Sequence, residues 1–181
     1  MKFTPLALSG AYIITLEKIA DERGYFLRNW CRETFGKHGL VADFTQFNTS
    51  FNRHKHTLRG LHYQVEPFAE TKMLQCVQGS IFDVIVDLRP ESDTYLQHVS
   101  VTLTDETPQL LYIPKGFAHG FLTLSDHVLL TYYMADAVYT PEAARGLRWD
   151  DPVLSLDWPA KPQVMSERDR QWKFLGQGAL L

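Results

Sequence analysis

The sequence predicts an all-β protein, on three observations: short β-branched or aromatic segments at even spacing, turn residues between them, and too few helical patterns to cover a parallel sheet. Segment 11–16 (AYIITL) opens the series. The second, 80–88 (SIFDVIVDL), runs into the turn Arg89-Pro90-Glu91-Ser92-Asp93. Segments 96–103 (LQHVSVTL) and 109–113 (QLLYI) follow, and Pro114-Lys115-Gly116 redirects the chain toward 127–134 (HVLLTYYM). Only 30–38, around Trp30, Glu33 and Phe35, has the pattern of a short helix, stopped near Gly39; a second is expected near 166–169, ahead of Trp172. This spacing fits a sandwich or barrel. From about residue 140 the chain is irregular and carries Trp and Pro in WDDP and WPAKP, as an extension wrapped on the β framework would. The final GQGALL is expected to fray or to serve a subunit contact.

A chain of 181 residues predicts a single domain over 1–181, and 45% apolar with 22% charged residues excludes disorder. Its 18 basic and 21 acidic side chains leave a net charge of −3, so nothing global steers it toward nucleic acid or anionic lipid. A local cationic pocket for a small anion is still compatible with that balance. Cys31 and Cys76 form no disulfide framework and no CxxC. The N-terminal segment has no apolar core of signal-peptide length, and no stretch approaches the roughly 18 apolar residues of a membrane span, so the expected location is the cytoplasm.

Chemistry concentrates in two segments. The first is Thr57-Leu58-Arg59-Gly60-Leu61-His62-Tyr63-Gln64, followed by Lys72. In a regular strand Arg59 and His62 point to opposite faces, whereas a bulge or turn at Gly60 brings them together; spacing leaves both open. The plain alternative is a satisfied histidine and a surface charge. The second segment, Ile113-Pro114-Lys115-Gly116-Phe117-Ala118-His119-Gly120-Phe121, resembles the second cupin motif, in which a histidine projects into a β-barrel. A metal-binding cupin needs a His-x-His pair and a glutamate in its first motif, but Gln64 stands at the paired position after His62. His54-x-His56 has the spacing, yet lies in a polar, basic stretch with the pattern of a solvated loop. A cupin barrel without a metal is therefore expected, with protein groups supplying acid and base.

Taken in order, Asp21-x-Arg23-Gly24-x-Phe26, Gln46-x-Asn48-x-Ser50, LRGLHYQ at 58–64, Lys72, Gly79-x-Ile81-Phe82-Asp83-Val84, Asp87-Leu88-Arg89, IPKGFAHGF at 113–121, Tyr139-x-Pro141, WDDP at 149–152 and Ser166-x-x-Asp169 span nearly the whole chain. This ordered set resembles the dTDP-sugar epimerase family of the cupin superfamily. The resemblance implies a jelly-roll barrel with a few short helices, acting on a dTDP-linked 4-keto-6-deoxyhexose with no metal or redox cofactor. By the same resemblance His62 is the base, Asp169 orients it and makes it more basic, and Lys72 stabilises an enolate. It assigns the diphosphate to Arg23 and Arg59, the phosphate or sugar region to His119, the nucleotide to Gln46 and Asn48, and the base to Phe26. It also implies a homodimer in which one subunit's N-terminal strand completes the other's sheet.

A tyrosine supplies the second proton. Counting forward from His119 selects Tyr132, whereas counting back from Tyr139 selects Tyr133; an extra residue in the MADAV connection would reconcile the two in favour of Tyr132. Two positions depart from the family pattern: Arg28 stands where Glu is common beside the thymidine, and Asn52 where serine is usual. The expected activity is epimerisation at C3 and C5. A 3- or 5-monoepimerase, a 3,4-ketoisomerase and a non-catalytic sugar-nucleotide-binding cupin are the alternatives.

Overall fold

The computed structural model describes residues 1–176. Its strands are β1 (Lys2–Pro5), β2 (Tyr12–Thr15), β3 (Lys18–Asp21), β4 (Gly24–Leu27), β5 (Phe44–Asn52), β6 (Leu58–Gln64), β7 (Thr71–Gln78), β8 (Ser80–Asp87), β9 (His98–Thr104), β10 (Gln109–Ile113), β11 (Phe117–Thr123), β12 (Val128–Ala135) and β13 (Ala144–Gly146). Two short helices, α1 (Arg32–Lys37) and α2 (Glu167–Arg170), complete the elements. No helix among the described residues is long and apolar enough to cross a membrane. The segment 177–181, where fraying or a subunit contact is expected, lies outside the described residues.

Hydrogen bonding divides most strands between two antiparallel sheets, one in the order β1-β2-β10-β7-β12-β5 and the other β13-β6-β11-β8-β9, with β3-β4 a separate hairpin. The mostly-β expectation holds, but neither sheet closes into a barrel. Closure needs every edge strand to find a neighbour. Among the described residues each sheet ends in edge strands with no further strand beside them, and the two are held together by side chains between them.

Part of that interior is filled by an apolar cluster including Leu74, Cys76, Ile81, Ile85, Leu111, Ile113, Phe117 and Leu130. Burial there pushes the Cys76 thiol up to about 12, which keeps it a protonated apolar filler. The outer face of the first sheet is covered by α1, whose Phe35 is fully buried against Ile14, Met73 and Tyr112. Glu33 and Lys37 pair along its exposed side at 2.6 Å, and Gly39 stops it with a φ of 67°. The outer face of the second sheet is covered by the irregular chain after residue 140. Leu147, Leu154, Leu156 and Trp158 pack there onto Tyr63, Val84 and Val86.

Candidate active site

Adjoining the apolar cluster, with Leu74, Phe121 and Leu130 common to both, the two sheets enclose a cavity of about 390 Å³, the size of a small-molecule site. Its first wall comes from β5, β7 and β12. On β5 the alternation runs opposite to that of a soluble sheet: Gln46, Asn48 and Ser50 face inward, while Phe47 and Phe51 face out. Register then aligns rows across the wall, with Gln46, Met134 and Lys72 in one and Asn48, Tyr132 and Leu74 in the next. Tyr132 therefore lines the cavity. Tyr133, one residue on, points the other way and packs against Phe44 and Phe47.

The second wall is formed by β6, β11 and β13, and its geometry answers the question the spacing of Arg59 and His62 leaves open. His62 pairs with His119 and Arg59 with Phe121, so three steps on β6 match two on β11. The extra residue falls at Gly60, whose φ is 129°, and the bulge turns Arg59 and His62 onto the same cavity. Glycine is required there. A Cβ on Gly60 would lie 2.5 Å from the Cα of Gly120.

Asp169 reaches this wall from α2. Ser166 accepts a hydrogen bond from the Asp169 N–H at 3.1 Å, so the Ser-x-x-Asp motif is a helix cap that aims the carboxylate inward. Asp169 Oδ1 lies 2.6 Å from His62 Nε2, Trp172 Nε1–H donates to the same oxygen at 3.1 Å, and the Gly60 N–H donates to Oδ2 at 3.4 Å. Burial pushes the Asp169 carboxyl up, but these donors outweigh it and hold the group below its ordinary value. On the other wall, burial pushes the Tyr132 phenol up against the opposing pull of Arg59, so it keeps its proton at neutral pH.

Several residues in or beside the cavity carry no assignment from the sequence. Glu70 is buried and lies 2.7 Å from Lys72 Nζ, with its second oxygen unpartnered. Its place two residues before Lys72, just ahead of β7, is the signal that marks it. Asp83 is fully buried beneath His119, 2.9 Å from Nε2; burial pushes its carboxyl up, and His119 and Lys72 pull the other way. A lone carboxylate inside IFDVIV is its signal in sequence. Tyr139 donates its N–H to Gln46 Oε1 at 2.9 Å, and its hydroxyl accepts from Arg168 at 3.1 Å, bridging the irregular segment to α2 beside the cavity.

Arg23, Phe26 and Arg28 are not brought to this cavity. They lie on or just after the β3–β4 hairpin, exposed, with Arg23 paired to Asp21. Among the described residues, no group of three or more His, Cys, Asp or Glu is arranged to hold a metal ion.

Residues 5–177 match the family model described as dTDP-4-dehydrorhamnose 3,5-epimerase. A curated dTDP-4-dehydrorhamnose 3,5-epimerase of Methanothermobacter thermautotrophicus is 43% identical over 177 residues, covering 96% of this chain and 94% of the relative. Among solved structures, the Bacillus anthracis enzyme of that name, with TDP and PPi bound, superimposes with a TM-score of 0.93 at 35% identity over 96% of this chain and 99% of the other. The Legionella pneumophila dTDP-6-deoxy-D-glucose-3,5-epimerase, in complex with dTDP-4-keto-L-rhamnose, gives 0.91 at 35% identity, covering 97% and 93%. The chain belongs to the dTDP-4-dehydrorhamnose 3,5-epimerase family.

Proposed function

We propose that the protein epimerises dTDP-4-keto-6-deoxy-D-glucose at C3 and C5 to dTDP-4-keto-L-rhamnose, through an enolate, with His62 as base and Tyr132 as acid. One observation carries this reading: His62, backed by Asp169, stands on one wall of the cavity, and Tyr132 stands with Lys72 on the opposite wall. Inverting a carbon requires a proton taken from one face and returned to the other, so a flat ketosugar between the walls meets both groups.

The 4-ketone acidifies the hydrogens on C3 and C5. The Asp169 carboxylate accepts from His62 Nε2–H, which leaves Nδ1 as the lone pair that takes the C–H proton, and Asp169 then stabilises the imidazolium. The electron pair moves onto the C4 oxygen, where the Lys72 ammonium compensates the charge. Tyr132 returns a proton to the carbon from the far side. Exchange with solvent resets both groups, and the cycle repeats at the second carbon. The steps balance with protein groups alone, without a metal or redox cofactor. Arg59 and His119 serve the diphosphate and sugar, with Gln46 and Asn48 toward the nucleotide.

We further infer one cupin-type jelly-roll unit over 1–181, working in the cytoplasm as a homodimer. Support for the dimer comes from the hairpin and β5, which expose Ile19, Tyr25, Phe26, Phe47 and Phe51. Substrate roles for Arg23, Phe26 and Arg28 then require a second copy's cavity, because their own lies out of reach.

The test is proton NMR of the protein with dTDP-4-keto-6-deoxyglucose in deuterated water. Exchange and inversion at C3 and C5 are expected. Exchange at one carbon alone would replace this reading with a monoepimerase, a 3-keto product with a ketoisomerase, and binding without exchange with a non-catalytic role.

A further inference from the structure

Arg59 is held by the end of the opposite wall. Its Nε–H donates to Asn52 Oδ1 at 2.7 Å, and its Nη2 donates to the Phe51 carbonyl at 3.5 Å. Asn52 closes β5 opposite Val128 and is 2% exposed. Its own amide nitrogen faces the Ser50 carbonyl and hydroxyl at 3.5 Å each, an arrangement that directs Oδ1 toward the arginine.

A guanidinium has two forks for binding an anion, a side-on pair formed by Nε and Nη2 and an end-on pair formed by Nη1 and Nη2. Asn52 and Phe51 occupy the side-on pair. Nη1 and the second hydrogen of Nη2, which form the end-on fork, have no protein partner among the described residues, and Arg59 lines the cavity. An unanchored arginine would spread over many rotamers and lose that freedom on binding; here the loss is taken in folding.

We propose that Asn52 is a positioning residue for phosphate recognition: by taking the Nε arm of the side-on fork of Arg59, beside the Phe51 carbonyl, it presents the end-on fork to the oxygens of the substrate's diphosphate. This rests on the reading of Arg59 as a diphosphate ligand. The bond joins a buried amide to a charged donor, so removing it affects the ligand through the arginine and not through the nucleoside.

The experiment is calorimetric titration of the full-length protein with dTDP and with thymidine, for wild type, Asn52→Ala, Arg59→Ala and the double variant. Asn52→Ala is expected to weaken dTDP about tenfold, in the range of a lost hydrogen bond to a charged group, and to leave thymidine unchanged. In the Arg59→Ala background the same change is expected to cost dTDP almost nothing more. In turnover, KM for the nucleotide sugar rises by more than kcat falls. Equal weakening of dTDP and thymidine, or full additivity in the cycle, would assign Asn52 a merely structural role and overturn the proposal. So would unchanged dTDP affinity in Asn52→Ala while Arg59→Ala is impaired. Unchanged dTDP affinity in Arg59→Ala itself would remove the underlying reading as well. Asn52→Ser, a milder truncation with a shorter hydroxyl arm, carries the same cycle if the alanine variant does not fold.

Discussion

The ring Nε2 of His62 lies 2.6 Å from Oδ1 of Asp169, a contact that joins positions 107 residues apart. Nothing in that bond is local. β6 supplies the histidine, a four-residue helix capped by Ser166 supplies the carboxylate, and Trp172 pins the same oxygen from the other side. A carboxylate below its ordinary pKa is an acceptor at neutral pH, so the proton between the two belongs to Nε2; in the proposed mechanism that leaves Nδ1 as the base.

Asp169→Asn is expected to cut deuterium wash-in at C3 and C5 by about 10²–10³-fold while KM changes little, since the substitution keeps the shape but removes the charge that stabilises the imidazolium. Single-turnover exchange measured by NMR checks this. A rise in KM with an intact exchange rate would move Asp169 from proton transfer to binding.

Tyr132→Phe and Tyr133→Phe separate the two neighbouring hydroxyls. Tyr132 faces the cavity and Tyr133 packs on Phe44 and Phe47, so the first change is expected to lower inversion by about 10²-fold and the second to stay within a few-fold of wild type. Because His62 remains, Tyr132→Phe should still exchange substrate hydrogen with solvent. Trapping products by reduction distinguishes exchange without inversion from no reaction.

Much of this arrangement is legible in the sequence, and the exceptions share a physical cause. The strands within 80–88, 109–113 and 127–134 announce themselves because they carry apolar residues buried on both faces. β5 does not, because Gln46, Asn48 and Ser50 line a cavity and Phe47 and Phe51 face out, inverting the pattern that marks a strand's buried side. The β3–β4 hairpin, wholly exposed but for Leu27, gives no periodic signal either. Candidate residues such as His62, Lys72 and Asp169 are visible by motif, but the carboxylates paired with Lys72 and His119 are not. Glu70 and Asp83 act through contacts that no spacing rule specifies, and the bulge at Gly60 is a property of the pairing with β11, not of β6 alone.

Gly146→Ala tests how tightly the dyad is held from behind. A Cβ at Gly146 would lie 2.2 Å from the Trp172 ring, an impossible contact that must displace the indole. Losing the Trp172 bond to Asp169 lets the carboxylate turn, and exchange is expected to fall about tenfold, the scale of one lost hydrogen bond to a charged group. Tryptophan fluorescence should shift in parallel. A normal rate with a shifted spectrum would show that Asp169 holds its place without the indole.

Asp87 carries the expected acid sensitivity of the fold. Fully buried at the end of β8, it is pushed up by burial, but Arg89, Ser92 and Thr94 all donate to it and bring its carboxyl well below the ordinary 3.8. A carboxylate whose folded pKa is depressed contributes stability that is fully present above the unfolded value and is lost as pH falls through the folded one. Asp87→Asn is therefore expected to cost about 2 kcal/mol at pH 7, from charge-assisted bonds weakened in a buried turn. The deficit should narrow below about pH 3.8, as the wild-type carboxylate itself begins to lose its advantage. Urea unfolding at a series of pH values measures both. A deficit that stayed constant down to pH 2 would place the cost in altered packing of the turn and not in the charge of Asp87.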